Sequence, residues 1–452
     1  MSALVEKAAP GPRGYPVLGL LHKAWKTPPQ FFLDAAIQYG DVVCLRLGFY
    51  RVYLISHPEH IKHVLQDNFP NYVKSPARIE KIKPLFGEGL TTSEGDMWRR
   101  QRHLIQPAFH RERIAGLAAV ITDDTTAMLE RWDTAADKPL DVAAEMLRLT
   151  QGIALKSLFS TDLEDEADTV DRALTIVLEH INRATWAFLD LPESLPTPRN
   201  RRFQHALCVL DNFVYRMIDE RRQGGKDTDD VLSMLLNARD EETGERMSDT
   251  QLRDELMTMF VAGHQTTANA LAWTWYLLSR HPDVDLRLDT ECLQVLAGRT
   301  PTYQDVPKLP YTRMVIEEAM RLYPPTWITA RRPLQDDAIG GYQIPANSVV
   351  LLSPYVTQHH PKFWENPENF DPDRFTPERV AERPRYAYFP FGGGPRVCIG
   401  RSLALVEAQL ILATVAQKYR LHLVPGHPVE PQAMMTLQPR HGVMMTLHRH
   451  PA

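Results

Sequence analysis

The chain has 452 residues, 44% hydrophobic and 24% charged, ordinary proportions for a globular protein. Its net charge of −5 gives no basic field that would favour nucleic acid. The four cysteines, Cys44, Cys208, Cys292 and Cys398, are far apart with no CxxC, which speaks against a disulfide framework or a zinc site. No charge block reads as a tail, and the N-terminus has no apolar run of signal-peptide or spanning length. The expectation is a cytoplasmic protein without a membrane anchor.

Ala8–Gly19 is too rich in Pro and Gly for regular structure, and residues 1–15 are expected to be poorly ordered. A helix is expected around Pro29–Tyr39. Two β-branched and aromatic runs joined at Gly48 then predict a hairpin over Asp41–Ser56. From about 58 to 322 helical patterning dominates, with breaks at Leu191–Asn200 and Gly224–Asp230. Ser248 and Gln251 form a capping box for a long helix that runs to His281-Pro282. At about 1.5 Å per residue it would cross a whole domain, and its apolar character predicts burial at the centre. Another helix ends at Leu322-Tyr323-Pro324-Pro325. Nine prolines between Pro345 and Pro395 mark a loop-rich segment, with a strand at Ser348–Ser353. A last helix is expected over Arg401–Tyr419. There is no internal repeat and no flexible linker, so the fold class is mainly α with small β-sheets, in one large domain over 1–452.

Phe391–Gly400 reads FGGGPRVCIG directly before that last helix. Three successive glycines let backbone approach a ligand where a β-carbon would clash. Cys398 falls at a helix N-terminus, where the macrodipole favours a thiolate, and Arg396 adds a cation. The plainer alternative is an inert buried cysteine after an ordinary turn.

Phe391, Gly394, Arg396, Cys398 and Gly400 match F-x-x-G-x-R-x-C-x-G, and here the chain resembles the cytochrome P450 family. Four more segments follow that family's order: Trp98–Arg102 (WRRQR), Ala262–Thr267 (AGHQTT), Glu318–Arg321 (E-x-x-R) and Phe370–Phe375 (F-x-P-x-R-F). The resemblance covers essentially the whole chain. It implies a cytochrome P450 fold, with a long central helix over haem b and the cysteine loop beneath it. Cys398 would be the axial iron ligand, with Phe391 shielding the sulfur. The family's haem-binding positions fall on Trp98, Arg102, Ala262, Arg331, Phe391, Gly392, Arg396, Cys398 and Gly400; Trp98, Arg102, Arg331 and Arg396 would meet the propionates. Glu318, Arg321 and Arg374 would form a buried charge network that locks the cysteine segment. Arg99 and Arg100 are read as an exposed helix face that could also contribute to docking.

The catalytic pair would be Thr266 and Gln265. Thr266 matches the family's threonine, whereas Gln265 replaces the usual Asp or Glu. An amide holds water but cannot exchange a proton as a carboxylate does. His264 is weighed as a substitute acid. Small Ala262 and Gly263 suit a helix that bulges open beside oxygen.

The resemblance implies a monooxygenase placing one oxygen atom from O2 into a lipophilic small molecule, by hydroxylation or epoxidation. The N-terminal PGPRGYPVLG and Trp98–Phe109 look more like the membrane-type and fatty-acid-hydroxylating branch than the macrolide-oxidising one, which makes a fatty acid, a terpenoid or another lipophilic secondary metabolite the expected substrate. Candidate lining segments are the loop after Ser75, Ala184–Leu195, the start of the central helix, Thr326–Thr329 and Met434–Leu437. They contain Phe260, Val261, Trp327, Ile328, Met434 and Met435, any of which could equally be core. Lys74, Arg78, Lys81 and Lys83 are read as a solvated basic face that could include a carboxylate anchor. Electrons are expected from a separate ferredoxin or flavodoxin with its reductase, and the chain is expected to be a monomer. Rival readings are a peroxide-using or rearranging enzyme on the same scaffold, and a haem-binding sensor.

Overall fold

The structure, a computed structural model, describes every residue except 1–7, 16–18, 22–26, 49, 135–137, 162–163, 187–192, 225–227, 229, 241–242 and 451–452. Its longer helices are α1 (Pro28–Tyr39), α2 (Pro76–Phe86), α3 (Gly95–Ile105), α4 (Arg111–Thr134), α5 (Val142–Phe159), α6 (Glu164–Trp186) and α7 (Pro198–Gly224). They continue with α8 (Asp249–Arg280), α9 (Pro282–Leu296), α10 (Pro310–Leu322) and α11 (Arg401–Ala416). The strands are β1 (Val42–Leu47), β2 (Tyr50–Ile55), β3 (Tyr72–Lys74), β4 (Leu140–Asp141), β5 (Thr329–Pro333) and β6 (Asp337–Ile339). After these come β7 (Tyr342–Ile344), β8 (Val349–Leu352), β9 (Tyr419–Leu423), β10 (Pro431–Ala433), β11 (Leu437–Pro439) and β12 (Met444–Arg449). The mainly α class with small sheets is what the sequence leads one to expect.

The chain forms two compact units. One comprises Met1–Arg78, Met314–Cys398 and Glu430–Arg440; the other comprises Ile79–Arg313, Ile399–Val429 and His441–Ala452. The first holds a five-stranded sheet in the order β1-β2-β8-β5-β3. The expected hairpin is its edge, with Cys44 opposite Tyr53 and Leu47 opposite Tyr50. Phe49 lies outside the described residues. The strand predicted at Ser348–Ser353 is β8, which pairs parallel with β2 through Leu54 and Leu351. Of the N-terminal stretch expected to be poorly ordered, residues 1–7 lie outside the described residues. Pro10, further along, accepts a 2.7 Å hydrogen bond from the Cys44 amide.

The second unit is built around α8. Ser248 Oγ accepts the Gln251 amide at 3.2 Å, so the predicted cap is real. The helix stops at Arg280, one residue before His281-Pro282. The helix is largely buried, as its apolar character led one to expect, and at its first turns the charged Arg253, Asp254 and Glu255 are buried with it. Each is paired. Arg253 Nε donates to Asp211 at 2.8 Å and its Nη1 to the Leu85 carbonyl at 2.9 Å. Asp254 accepts the Glu88 amide at 2.7 Å, and Glu255 accepts the Leu90 amide at 3.0 Å. A β-carbon on Gly87, which has φ +51°, would lie 2.0 Å from Asp254 Oδ1; on Gly89 it would lie 2.4 Å from Thr258 Oγ1. The Gly87-Glu88-Gly89 spacing was the overlooked sequence signal for this close approach.

The last helix ends at Ala416, earlier than expected, because Tyr419 starts β9 and pairs with Arg449 of β12. Parts of the two predicted breaks, 191–192 and 225–227 with 229, lie outside the described residues.

Candidate functional site

Cys398 closes a loop held from both sides within the first unit. Gly392 and Gly394 have φ of +70° and +62°, the left-handed region that glycine enters without strain. A β-carbon on Gly394 would lie 1.8 Å from the Leu65 carbonyl oxygen, and one on Gly393 would lie 2.3 Å from the Tyr386 ring. Two of the three glycines therefore let the loop press on protein, where sequence reasoning foresaw a ligand. Only Gly392 has nothing within 4 Å of that position. The Gly394 amide donates to the Tyr386 hydroxyl at 3.1 Å, and that hydroxyl donates to Gln66 Oε1 at 3.0 Å. The Cys398 amide donates to the Phe391 carbonyl at 2.9 Å. Cys398 itself is exposed. It is not inside a helical turn: α11 begins at Arg401 with Gly400 as its cap.

The predicted charge network lies behind this loop. Arg321 Nε and Nη2 donate to Glu318 at 2.6 and 2.8 Å, and both side chains are 0% exposed. Arg321 also donates to the carbonyls of Gln358, Pro367 and Asn369 at 2.9, 2.7 and 3.0 Å. All five guanidinium N–H groups are thus used. Arg374 Nε lies 3.4 Å from Glu318, and the Asp371 amide donates to the same carboxylate at 3.0 Å. Gln358, which sequence reasoning missed, joins α10 to the loop. Its amide donates to the Met320 and Arg321 carbonyls at 3.0 Å, and its oxygen accepts the Phe389 amide at 3.2 Å.

Two of the proposed propionate partners meet on β3. Arg331 pairs with Lys74 in the sheet, and Arg396 donates to the Tyr72 carbonyl at 2.7 Å while lying 4.6 Å from the Phe69 ring centroid. In the second unit Trp98 is buried on α3, with Arg102 one turn on, 5.9 Å from its ring centroid. On the same helix Arg99 pairs with Asp96 at 2.9 Å. Arg100 is held by Asp240 at 3.0 Å, so its charge is already matched.

The sequence pattern AGHQTT sits mid-way along α8. Ala262 and Gly263 are exposed although the helix is buried over most of its length, and a β-carbon on Gly263 would meet nothing within 4 Å. The expected bulge is absent, for α8 is continuous. The Thr266 hydroxyl donates to the Ala262 carbonyl at 2.7 Å, and the Thr267 hydroxyl to the Gly263 carbonyl at 3.1 Å. His264 faces inward, with Nδ1 2.6 Å from the Phe260 carbonyl; since a carbonyl only accepts, Nδ1 carries the proton. Burial lowers its pKa to about 4, which disqualifies it as a proton donor near neutrality.

Comparison with known proteins decides the family. The profile described as Cytochrome P450 matches residues 9–447. The chain belongs to the cytochrome P450 family. Among P450s it is 42% identical to cyclooctatin synthase of Streptomyces melanosporofaciens, over 94% of this chain and 92% of that protein. It is also 42% identical to cyclooctat-9-en-7-ol 5-monooxygenase of the same organism, over 92% and 90%. Pentalenene oxygenase of Streptomyces avermitilis is 34% identical over 95% of each. The crystal structure of the cytochrome P450DA heme domain superimposes with a TM-score of 0.91 at 29% identity, covering 99% of both chains.

The protein is a haem-thiolate monooxygenase that acts on a lipophilic substrate with electrons from redox partners. Its residues fit a cysteine-ligated P450 haem. In the first unit the cysteine is exposed from a hydrogen-bonded loop, and in the second Ala262 and Gly263 are uncovered on an otherwise largely buried helix. Among the described residues no helix is long and apolar enough to cross a membrane.

Proposed function

We propose that this P450 oxidises a cyclic terpenoid, with Cys398 as the iron ligand. The observation that carries the ligand assignment is the loop: Gly393 and Gly394 seat it against Tyr386 and Leu65 while the thiol stays exposed. The three Streptomyces relatives, whose names specify terpenoid products or substrates, support the substrate class. Bound haem supplies oxygen activation, in which O2, two electrons and two protons give one inserted oxygen atom and one water. The thiolate of Cys398 would ligate the iron and donate electron density to it. Trp98, Arg102, Arg331 and Arg396 would hold the propionates. Phe391, with Gly392 and Gly400, would shape the surroundings of the sulfur, and Ala262, small and exposed, would belong to the haem-binding set.

Thr266 would position water: its hydroxyl donates to the Ala262 carbonyl, and its lone pairs can accept a hydrogen bond from a water. Gln265 can hold that water and cannot replace its proton. We further infer that residues 1–452 act as one catalytic domain, as a cytoplasmic monomer served by a separate ferredoxin or flavodoxin with its reductase.

Reduced protein exposed to carbon monoxide should show the absorption band diagnostic of thiolate ligation, and Cys398→Ala should lose it. An unchanged band in that variant sinks the assignment. Turnover of a terpenoid with NAD(P)H and redox partners, compared with peroxide alone, separates the monooxygenase from a peroxide-driven enzyme.

A further inference from the structure

Of the four basic residues grouped after β3, one stands apart. Lys83 ion-pairs with Glu88 at the surface. Arg78 is only partly exposed, and its Nη1 donates to the Ile328 carbonyl at 3.3 Å. Among the described residues that is its one side-chain hydrogen bond, and no carboxylate acts on it; burial alone perturbs it. Three other inward-turned arginines differ from it. Arg221 holds Asp230, Arg253 holds Asp211 and Asp254, and Arg321 holds Glu318. A guanidinium has five N–H donors, so Arg78 keeps several with no acceptor among the described residues. Withdrawing an unpaired cation from water is costly, and a bound acceptor would offset that cost.

The partner of Arg78 is fixed and its surroundings are apolar. Trp327, next to Ile328, donates from Nε1 to the Met434 carbonyl at 3.0 Å and accepts the Ser353 hydroxyl at 2.7 Å through its own carbonyl. The Leu437 amide donates to the Pro325 carbonyl at 2.9 Å. The segment from Pro325 to Ile328 is therefore clamped to the β10–β11 hairpin, and β5 starts at the next residue. A cation held on such a support is pre-organised, so binding through it orders little that was mobile.

We propose that Arg78 is the polar anchor of the substrate: its remaining N–H groups bind a hydroxyl or carboxylate oxygen on an otherwise apolar terpenoid. Ile328 and the half-buried Met434 meet the hydrocarbon skeleton, while Trp327, buried against Phe32, backs them from the core. The substrate is then an already oxygenated terpenoid, supplied by a reaction that hydroxylates the skeleton or ends its cyclisation with water. This rests on the terpenoid reading above.

The test titrates haem-loaded protein with three probes of one skeleton, abietadiene, abietadienol and abietic acid, following the shift of the haem spectrum. Wild type should bind the alcohol or the acid about tenfold more tightly than the hydrocarbon, the scale of a hydrogen bond to a charged group. Arg78→Leu should lose that preference, weakening the oxygenated probes about tenfold and the hydrocarbon much less. Arg78→Lys, which keeps the charge, should still rank acid above hydrocarbon. Equal weakening of all three probes in Arg78→Leu, or none, overturns the anchor, as does loss of that ranking in a folded Arg78→Lys. If wild type binds none of the three, the terpenoid reading itself falls and takes the anchor with it. If it binds all three alike, only the anchor falls.

Discussion

Gln265 and His264 are neighbours on α8 that sequence alone could not rank as proton donors. Burial removes His264: its imidazole is neutral, with Nδ1–H committed to Phe260. Since its folded pKa, about 4, is below the unfolded 6.5, the unfolded chain takes up the proton first as pH falls. His264 therefore makes stability drop between about pH 6.5 and 4, by about 3 kcal/mol in all. Urea unfolding of wild type and His264→Gln over that range should show the variant losing less; parallel curves would contradict the assignment. Gln265 remains at the position where P450s usually carry a carboxylate. Gln265→Glu should raise product formed per NAD(P)H and lower peroxide release, provided proton supply limits coupling. If turnover and peroxide release are both unchanged, the amide is no bottleneck.

At the scale of elements, the question is what keeps an irregular, proline-rich segment in one conformation. Arg321 does much of this, because five N–H groups from one planar head reach α10's own Glu318 and three carbonyls of the following loops. Lysine cannot reproduce that fan of bonds. Arg321→Lys is expected to cost about 3–5 kcal/mol, the scale for breaking a buried pair. It should also shift the carbon monoxide spectrum toward the form without thiolate ligation. Wild-type stability with an unaltered spectrum would show that the fan is dispensable. The E-x-x-R spacing was legible because three residues along a helix share a face. Gln358 and Leu65 were not, since they act on the cysteine loop from distant parts of the chain, and Tyr386, only eight residues before Gly394, lies in an irregular stretch with no period to place its ring. Likewise Asp240, which pairs with Arg100 from 140 residues away, was not legible in the sequence.

Across the whole molecule, long periodic helices were readable and short strand pairings were not. Helix α8 announced itself through Ser248 and His281-Pro282. The parallel match of β2 to β8, by contrast, joins four-residue stretches almost three hundred positions apart, on which local pattern is silent. The site followed the same rule. Cys398, Arg396 and Gly394 are close in sequence and gave the family away, whereas Arg78 became interesting only once its lack of a carboxylate was seen. Haem ties these scales together through mass action, because a group that binds the folded chain and not the unfolded one stabilises it. A thousandfold excess over the dissociation constant is worth about 4 kcal/mol. Protein stripped of haem should therefore melt several degrees below the loaded form, and adding haem should restore the difference. In Cys398→Ala the iron–sulfur bond is gone while the arginine and tryptophan contacts remain, so the gap should narrow without closing. A gap of wild-type size in that variant would mean that the bond to Cys398 contributes nothing to haem retention, and equal melting of stripped and loaded wild type would mean that haem and fold are uncoupled.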